Sequence, residues 1–585
     1  MEFGSHQIID GKIILRIRDR ICDTPESLIA SQLFNVILKR CLNELEQHNS
    51  HLLDIFENRR ITNNEIRLLE RTLTFLTKLP ADLVPKVVEG STPFFRDRAL
   101  FNDFVEYLYN YWRSLQRLII CDSEGDRFDR HPYTTFNSTV ETLTHLVRST
   151  YRDVQENITG KHPRIYRQVR SGAEIATIAL PKDLFYPANY AAVLNNIPII
   201  RQVLIYPPLI INPPMNKRTG TFERVSENPL DGLNLIKNDW LCYPAKVGPL
   251  LVMIYFSLRY FELGFSLSNL FELAGDDFMR RKPDAVFLYG VPEQDFPNLG
   301  KGQTIFFDDE ANDMLVGAIP DSSRFGYFGY LKKMALTLHN IKMMKQGRMP
   351  FHGALFNLAV RGHGSRTVLV MGDTGAGKSE TLEAMRSLGA DEIDEVTVIA
   401  DDMGSLELNE RGEIIGYGTE TGAFVRLDDL KPGYAFGQID RTIIMSPSEV
   451  NARVVLPVAT YDTIMRGFPV DLVLYANNYE AVDDTHPVIE RYATPADALE
   501  TFRAGRVMSK GTTTTTGQVQ TYFANVFGPQ QYQDEHEVLA KRFFDAFFER
   551  GLFVGQMRTQ LGITGCEESG PQNVARALLD MLSRK

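Results

Sequence analysis

Thr367-Val-Leu-Val-Met-Gly372-Asp373-Thr374-Gly375-Ala376-Gly377-Lys378-Ser379-Glu380 is the stretch that decides how the rest of the chain is interpreted. An apolar run precedes the glycines and a helical pattern follows them, which is the context of a phosphate-binding loop between a strand and a helix. Glycines let consecutive backbone N–H groups turn toward phosphate oxygens at the positive end of that helix. Lys378 would reach the terminal phosphates and the Ser379 hydroxyl would bind Mg²⁺. We therefore predict that residues 372–379 bind a nucleotide.

Two aspartates follow the next predicted strand. The run Val396-Thr-Val-Ile-Ala400 ends in Asp401-Asp402. Carboxylates at the end of a strand beside a phosphate loop are where the metal ions of a nucleotide are held. The pair is therefore a predicted metal site.

Three further segments carry polar residues that the residue pattern alone does not explain. They are Tyr327-Phe-Gly-Tyr-Leu-Lys332-Lys333, Met349-Pro-Phe-His352-Gly353 and Asn451-Ala-Arg453. Taken singly, a lone histidine or a surface arginine is more often structural than functional.

In this order, the segments resemble those of the phosphoenolpyruvate carboxykinase family, in particular its ATP-using branch. That family is part of a P-loop superfamily that also includes the HPr kinases. The resemblance covers about Arg324 to the C-terminus. It extends to Lys510-Gly511-Thr512, which is similar to the family's mobile lid. The fold it implies is a mixed-sheet α/β P-loop kinase domain.

The resemblance also implies roles for individual residues. Lys333, His352 and Asp402 would be ligands of a catalytic Mn²⁺, and Ser379 and Asp401 would bind the Mg²⁺ of the nucleotide. A further set would contact the phosphates or the substrate: Lys378, Arg453, Arg426, Tyr327 and Arg218. The implied reaction interconverts oxaloacetate and phosphoenolpyruvate with CO₂ and a nucleotide.

Three departures from the family's pattern bear on the phosphoryl donor and the substrate. Arg426 replaces a lysine expected near the phosphates, and Arg218 precedes Thr219-Gly220 instead of following it. The arginine of the family's nucleotide-base loop falls near Ser569. ATP is the expected donor, with GTP and pyrophosphate as alternatives.

Two other functions stay open at this stage. The segment Gly372–Glu380, with His352-Gly353 and Ala400-Asp401-Asp402, also resembles the HPr kinase group. In that interpretation an aspartate is the general base on a serine or small-molecule hydroxyl, and His352 is not a metal ligand. The third possibility is a non-catalytic nucleotide-binding regulator.

Composition limits the cellular setting and the partners. The net charge of −11 over 585 residues argues against a nucleic-acid partner, because such binding requires many cations on phosphates. The apolar stretch 247–256 is shorter than the ~20 residues of a membrane span. Five scattered cysteines predict free thiols, and we expect a cytoplasmic protein. We make no prediction of oligomeric state.

Changes in pattern along the chain suggest its division into domains. The predicted segments are a tag remnant (1–6), a helical N-terminal region (7–164), a mixed α/β substrate domain (165–324) and the catalytic P-loop domain (325–585). Thr24 followed by Pro25 predicts a helix start. The pattern of 101–120 is also helical, whereas 175–180 and 285–289 predict strands.

Overall fold

The structure, a computed structural model, describes residues 5–18, 22–57, 61–123, 131–218, 222–295, 304–389, 392–427, 430, 440–509 and 517–583. It consists of two compact units. Unit 1 comprises Met1–Leu180 with Ile200–Tyr206, and unit 2 comprises Pro181–Ile199 with Pro207–Lys585. The boundaries predicted at 164/165 and 324/325 stay predictions.

Both units mix helices and strands, which confirms the α/β class. The described helices are α1 (Pro25–Ile29), α2 (Gln32–Gln47), α3 (Asn63–Leu76), α4 (Val84–Val87), α5 (Arg98–Ser114), α6 (Pro132–Thr159), α7 (Ala188–Leu194), α8 (Phe261–Ser266), α9 (Phe328–Lys345), α10 (Lys378–Leu388), α11 (Tyr461–Met465), α12 (Pro495–Ala504), α13 (Gln533–Glu549) and α14 (Ser569–Leu582). None of them is long and apolar enough to cross a membrane.

The strands of the first half of the described chain are β1 (His6–Ile9), β2 (Lys12–Ile17), β3 (Gln116–Cys121), β4 (Ile175–Leu180), β5 (Ile199–Ile205), β6 (Leu209–Ile211), β7 (Phe222–Val225), β8 (Trp240–Val247), β9 (Leu250–Ser257), β10 (Glu272–Leu273), β11 (Ala285–Val291), β12 (Thr304–Asp309) and β13 (Met314–Pro320). Those of the second half are β14 (Met349–Val360), β15 (Gly364–Met371), β16 (Ile393–Ala400), β17 (Met403–Leu408), β18 (Ile414–Gly418), β19 (Gly422–Arg426), β20 (Ile443–Met445), β21 (Arg453–Pro457), β22 (Phe468–Pro469), β23 (Leu472–Asn477), β24 (Ile489–Arg491), β25 (Arg506–Ser509), β26 (Gly517–Gln520) and β27 (Phe553–Arg558).

Unit 1 packs helices α1–α6 around an apolar core and adds a sheet of order β1-β2-β3-β4. The predicted helix start is confirmed, because Thr24 and Ser27 form a capping box with Pro25 in the first turn. The helical interpretation of all of 101–120 was wrong. Helix α5 ends at Ser114, and the following apolar run forms the buried parallel strand β3. Buried strands of this kind have continuous apolar runs without alternation.

Unit 2 contains several mixed sheets. One has the local order β8-β9-β11-β13-β12-β7, and its central pairs β9–β11 and β11–β13 are parallel. A second has the order β22-β18-β17-β14-β15-β23-β27-β24, with β16 also paired to β14. A third, small sheet has the order β19-β21-β20-β6 and carries Arg426 and Arg453.

The strand before the phosphate loop lies inside the second sheet. Strand β15 pairs antiparallel with β14 and parallel with β23, so it is an inner strand of this sheet. Its last five residues, 367–371, are buried on both faces. Helices α10 and α14 pack on one face through Leu382, Met385 and Leu578. This core fixes the end of β15, where the phosphate loop begins.

Candidate phosphate and metal site

The phosphate loop has the backbone that its glycines predict. Strand β15 ends at Met371 and helix α10 begins at Lys378. Gly375 and Gly377 have φ values of 80° and 98°, a region that L side chains rarely adopt. A Cβ on Gly377 would also lie 2.7 Å from Cβ of Thr559. Glycine is therefore required at this position for both conformation and space.

Lys378 is held inside the loop. Its side chain is buried, and Nζ donates to the carbonyl oxygens of Gly372 (2.7 Å) and Asp373 (3.0 Å). The neighbouring Ser379 side chain is exposed at the first turn of α10. Both groups thus lie at the positive end of the helix, where a phosphate is favoured.

His352 lies between the phosphate loop and the aspartate pair. The Gly353 N–H donates to the Asp402 carbonyl oxygen at 2.9 Å, and the Gly372 N–H donates to the His352 carbonyl oxygen at 3.1 Å. A Cβ on Gly353 would lie 2.3 Å from the carbonyl oxygen of Val370. Glycine after the histidine therefore allows the strands to approach closely enough to form the site.

The Asp402 carboxylate is the centre of a cluster of charged and polar side chains. Lys332 and Lys333, in the second turn of α9, each place Nζ 2.8 Å from Oδ2. His352 places Nε2 2.9 Å from Oδ1. Lys332 also lies 3.0 Å from Oε1 of Glu420. The structure thus brings together the three predicted Mn²⁺ ligands, Lys333, His352 and Asp402.

Burial and charge act against each other in this cluster. Burial alone would raise the pKa of Asp402, but Lys332 and Lys333 outweigh it and hold that pKa well below its usual range. Burial lowers the pKa of Lys333 more than Asp402 raises it. For Lys332, burial is outweighed by Asp402 and Glu420, and its pKa is raised. Burial raises the pKa of Glu420 to about 7.

The donor atoms fit a divalent metal ion. The Nδ1–H of His352 donates to the Ala524 carbonyl oxygen at 2.5 Å, so the nitrogen that remains for a metal ion is Nε2. Nε2 is buried and lies 2.9 Å from Oδ1 of Asp402. Imidazole nitrogen is a typical ligand of Zn²⁺, Fe²⁺ and Ni²⁺, and carboxylate oxygen is a typical ligand of Mg²⁺ and Mn²⁺, so the pair fits a divalent ion without selecting one of them. Among the described residues no three His, Cys, Asp or Glu side chains form a metal group, so the lysine amine would complete the set.

The predicted substrate residues Arg218, Tyr327 and Arg453 lie near aromatic side chains beside the Asp402 cluster. The Phe527 ring lies 4.4 Å from Nζ of Lys333 and 5.4 Å from the Arg218 guanidinium carbon. Tyr327, the N-cap of α9, is hydrogen-bonded to Arg453. Burial raises the pKa of Tyr327, while Arg453 and Arg218 lower it. Arg218, Tyr327 and Arg453 therefore face one region.

Arg426 and Arg453 lie opposite each other. They are direct partners in the antiparallel pair β19–β21. The guanidinium of Arg453 also lies 5.5 Å from the Phe424 ring centre, two residues from Arg426. The two arginines create a cationic position on the small sheet, as phosphate or carboxylate binding requires.

Of the remaining predicted residues, Asp401 and Asp373 lie in the described part of the chain and two short segments lie outside it. Asp401 is half-buried after β16, next to Asp402. Asp373 lies near His352, with Oδ1 4.0 Å from Nδ1. The lid-like Lys510-Gly511-Thr512 and the pair Thr219-Gly220 lie outside the described residues.

Sequence reasoning missed two members of the cluster. Lys332 belongs to the segment Tyr327–Lys333, but the family resemblance assigns it no role, and Glu420 begins the segment that ends in Arg426. A signal for Lys332 was the double lysine itself. Glu420 lies in the connection between β18 and β19, and it comes close to the cluster only because β18 pairs with β17, the strand that follows Asp402.

Comparison of the chain with protein-family models and with curated proteins gives no match.

Proposed function

We propose that unit 2 is a phosphoryl-transfer enzyme of the phosphoenolpyruvate carboxykinase type. The observation that carries the proposal is the convergence of Lys333, His352 and Asp402 on one point beside the phosphate loop, with arginines around it. Under the HPr kinase alternative, Lys333, Arg453 and Tyr327 have no function. Under the carboxykinase reaction each of them has one.

In this proposal the chain binds two anions next to each other. The N–H groups of 372–379 and the Lys378 ammonium would bind the terminal phosphates of ATP. Arg453 and Arg218 would bind the carboxylates of oxaloacetate, and Tyr327 would line that pocket. Oxaloacetate loses CO₂, the enolate oxygen takes the γ-phosphoryl group of ATP, and phosphoenolpyruvate and ADP are released.

Metal ions would complete the site. Lys333, His352 and Asp402 would hold Mn²⁺, and Ser379 and Asp401 would hold Mg²⁺. When bound, such ions polarise substrate oxygens and neutralise charge on a transferring phosphoryl group. The chain's own contribution is orientation: the Ala524 carbonyl fixes the His352 ring, and Lys332 holds the Oδ2 atom of Asp402 that Lys333 also contacts.

The site would act in the cytoplasm on small molecules. Cys22, Cys41, Cys121, Cys242 and Cys566 are free thiols in the structure, which supports a reducing compartment.

The experiment supplies Mn²⁺, Mg²⁺ and oxaloacetate with ATP, GTP or pyrophosphate in turn and measures phosphoenolpyruvate. We expect product with at least one donor, and ATP is the expected one. Lys333→Ala should abolish it. Lys345→Ala is the matched control, because Lys345 lies on the same helix but pairs with Asp308. Phosphorylation of a serine or another hydroxyl, without phosphoenolpyruvate from any donor, would refute the proposal in favour of the kinase.

A further inference from the structure

One short segment of unit 2 has a backbone conformation that the proposed reaction does not by itself explain. Phe523, Ala524 and Asn525 have φ values of 44°, 55° and 63°, and Gly528 follows with a φ of 90°. Three consecutive residues other than glycine in the left-handed region are rare, because the Cβ atom of an L residue then crowds the backbone. We call residues 521–528 the left-handed segment.

Most of the left-handed segment is buried. Phe523, Ala524, Val526 and Phe527 have almost no exposed surface, and Asn525 is half-buried. Left-handed residues are ordinarily found singly in turns and at helix ends, where glycine and asparagine are favoured. A strained backbone persists only where the surrounding contacts compensate for it, and such strain is concentrated at functional sites. The contacts of the segment therefore indicate its role.

One carbonyl group of the segment orients His352. It belongs to Ala524, the middle left-handed residue, and its oxygen accepts from the Nδ1–H of His352 at 2.5 Å. A hydrogen bond at Nδ1 fixes the direction in which Nε2 of the same ring points. Nε2 lies 2.9 Å from Oδ1 of Asp402. Because an extended backbone at Ala524 would rotate its carbonyl group, the left-handed conformation is what keeps the ring in this orientation.

The end of the segment packs on the helix that carries Lys333. The Phe527 ring lies 4.4 Å from Nζ of Lys333. The Phe527 carbonyl oxygen accepts at 2.7 Å from Nδ2 of Asn340, a buried residue further along α9. A Cβ on Gly528 would lie 3.0 Å from the carbonyl oxygen of Thr337, on the same helix. Helix α9 therefore fixes the position of Phe527 beside Lys333.

The beginning of the segment contacts the phosphate loop. The Thr521 hydroxyl lies 3.4 Å from Oδ2 of Asp373. The segment is thus bonded to three elements, β14, α9 and the phosphate loop, and each of them carries residues of the candidate site. A single short piece of chain connects them.

We propose that the left-handed segment is a positioning element of the metal site, and that its conformation directs the Ala524 carbonyl at His352 while Phe527 packs on Lys333. The inference rests on the proposed function, in which these two side chains bind one metal ion. The hydrogen-bond partner of a metal-binding histidine typically changes metal affinity 10- to 100-fold. Asn525 and Asn340 are then positioning residues, although neither is a predicted ligand.

The experiment changes the backbone preference at Asn525. Asn525→Val places a β-branched residue where the left-handed region is strongly disfavoured, whereas Asn525→Gly adopts that region readily. Both substitutions also remove the hydrogen bond that Nε2 of Gln530 donates to Oδ1 of Asn525 at 3.1 Å. Gln530→Ala removes that hydrogen bond alone and is the matched control.

The first measurement is the NMR resonance of the His352 Nδ1–H in metal-free protein that contains isotope-labelled histidine. Its absence from His352→Gln assigns it. The proton is buried and hydrogen-bonded, so it should exchange slowly with water and be resolved. We expect the resonance in the unmodified protein, in Asn525→Gly and in Gln530→Ala, and we expect Asn525→Val to lose it.

The second measurement is the Kd of Mn²⁺ alone, obtained from the EPR signal of the free ion. Asn525→Val should raise this Kd at least about tenfold, Asn525→Gly should restore it, and Gln530→Ala should not change it. If circular dichroism shows that Asn525→Val does not fold, Asn340→Ala replaces it. That variant removes the donor to the Phe527 carbonyl oxygen and leaves residues 523–525 unchanged.

The inference is overturned if the folded variant keeps the His352 resonance, or if Asn525→Gly loses it as completely as Asn525→Val. Unchanged Mn²⁺ affinity in a folded Asn525→Val protein would also overturn it, because a segment with only a structural role would lower Tm alone. Absence of Mn²⁺ binding by the unmodified protein would instead refute the proposed function. The resonance is measured without metal, so it decides in either case whether the segment positions His352.

Discussion

Replacing Asp402 by asparagine tests the charge cluster directly. The substitution keeps the size of the side chain and removes the charge that Lys332 and Lys333 share. Glu420 remains in the cluster, but it contacts Lys332 and has a pKa raised to about 7 by burial. Lys333 therefore loses its main counter-charge. We expect Asp402→Asn to destabilise unit 2.

The size of the loss follows from burial. Removing one partner of a buried ion pair costs about 3–5 kcal/mol, and the side chain of Asp402 is 20% exposed, so we take about 3 kcal/mol. Unit 2 has about 400 residues. At roughly 2 cal/mol/K per residue its unfolding entropy is about 0.8 kcal/mol/K. The expected decrease in Tm is therefore about 4 °C.

The assay follows thermal unfolding by tryptophan fluorescence in a Trp112→Phe background, so that buried Trp240 reports unit 2 alone. Asp394→Asn is the matched control, because Asp394 lies on β16 and forms an ion pair with Arg361 at 2.9 Å. That pair is more than half exposed, so its loss should cost less than about 1 kcal/mol. If both variants lower Tm equally, the reasoning from burial is refuted.

Three further predictions concern the strands, the pH dependence and the phosphate loop. Gly353→Ala should lower Tm by several degrees, because its Cβ would meet the Val370 carbonyl oxygen; Gly275→Ala, with open space around it, is the control. Glu420 is neutral in the folded state up to a pH of about 7, so its contribution to the free energy of unfolding falls by about 3 kcal/mol between pH 4.5 and 7. Measured as Tm against pH, Glu420→Gln should remove that decrease, and an unchanged slope would contradict the assignment. Lys378→Ala should weaken ATP binding about 10- to 100-fold by calorimetry, since one charge-assisted hydrogen bond is lost; undiminished binding would count against the loop as the phosphate site.

The local parts of the site could be predicted from the sequence. The loop between β15 and α10 carries a motif in which the glycines allow the backbone to turn around a phosphate and the lysine supplies its positive charge. The strand before Asp401 is an apolar run that ends in polar residues, and the structure places it as β16. Such features depend on neighbours in sequence, which is why local pattern is sufficient to find them.

The contacts across the sheet could not be predicted in this way. The positions of Lys332 and Glu420 depend on where α9 and β18 pack, and the facing of Arg426 and Arg453 depends on the register of β19 with β21. A shift of one residue in that register would turn one arginine to the other face. Strand β3 was missed for a related reason, because its buried apolar run directly follows an amphipathic helix.

The composition of the cluster indicates a function other than stability. Buried ion pairs are on average no better for stability than apolar residues of the same volume, so two lysines around one aspartate are a costly means of holding a fold. Lys332 has a second carboxylate in Glu420, whereas Lys333 shares Asp402 and lies over the Phe527 ring. Beside it, Nε2 of His352 lies 2.9 Å from the same carboxylate. An imidazole nitrogen and a carboxylate oxygen at this spacing can bind one divalent cation, and the amine of Lys333 would join them on losing its proton. At this position the cation would lie next to the phosphate loop, so that the phosphates bound there and the carboxylate of Asp402 both contribute to holding it.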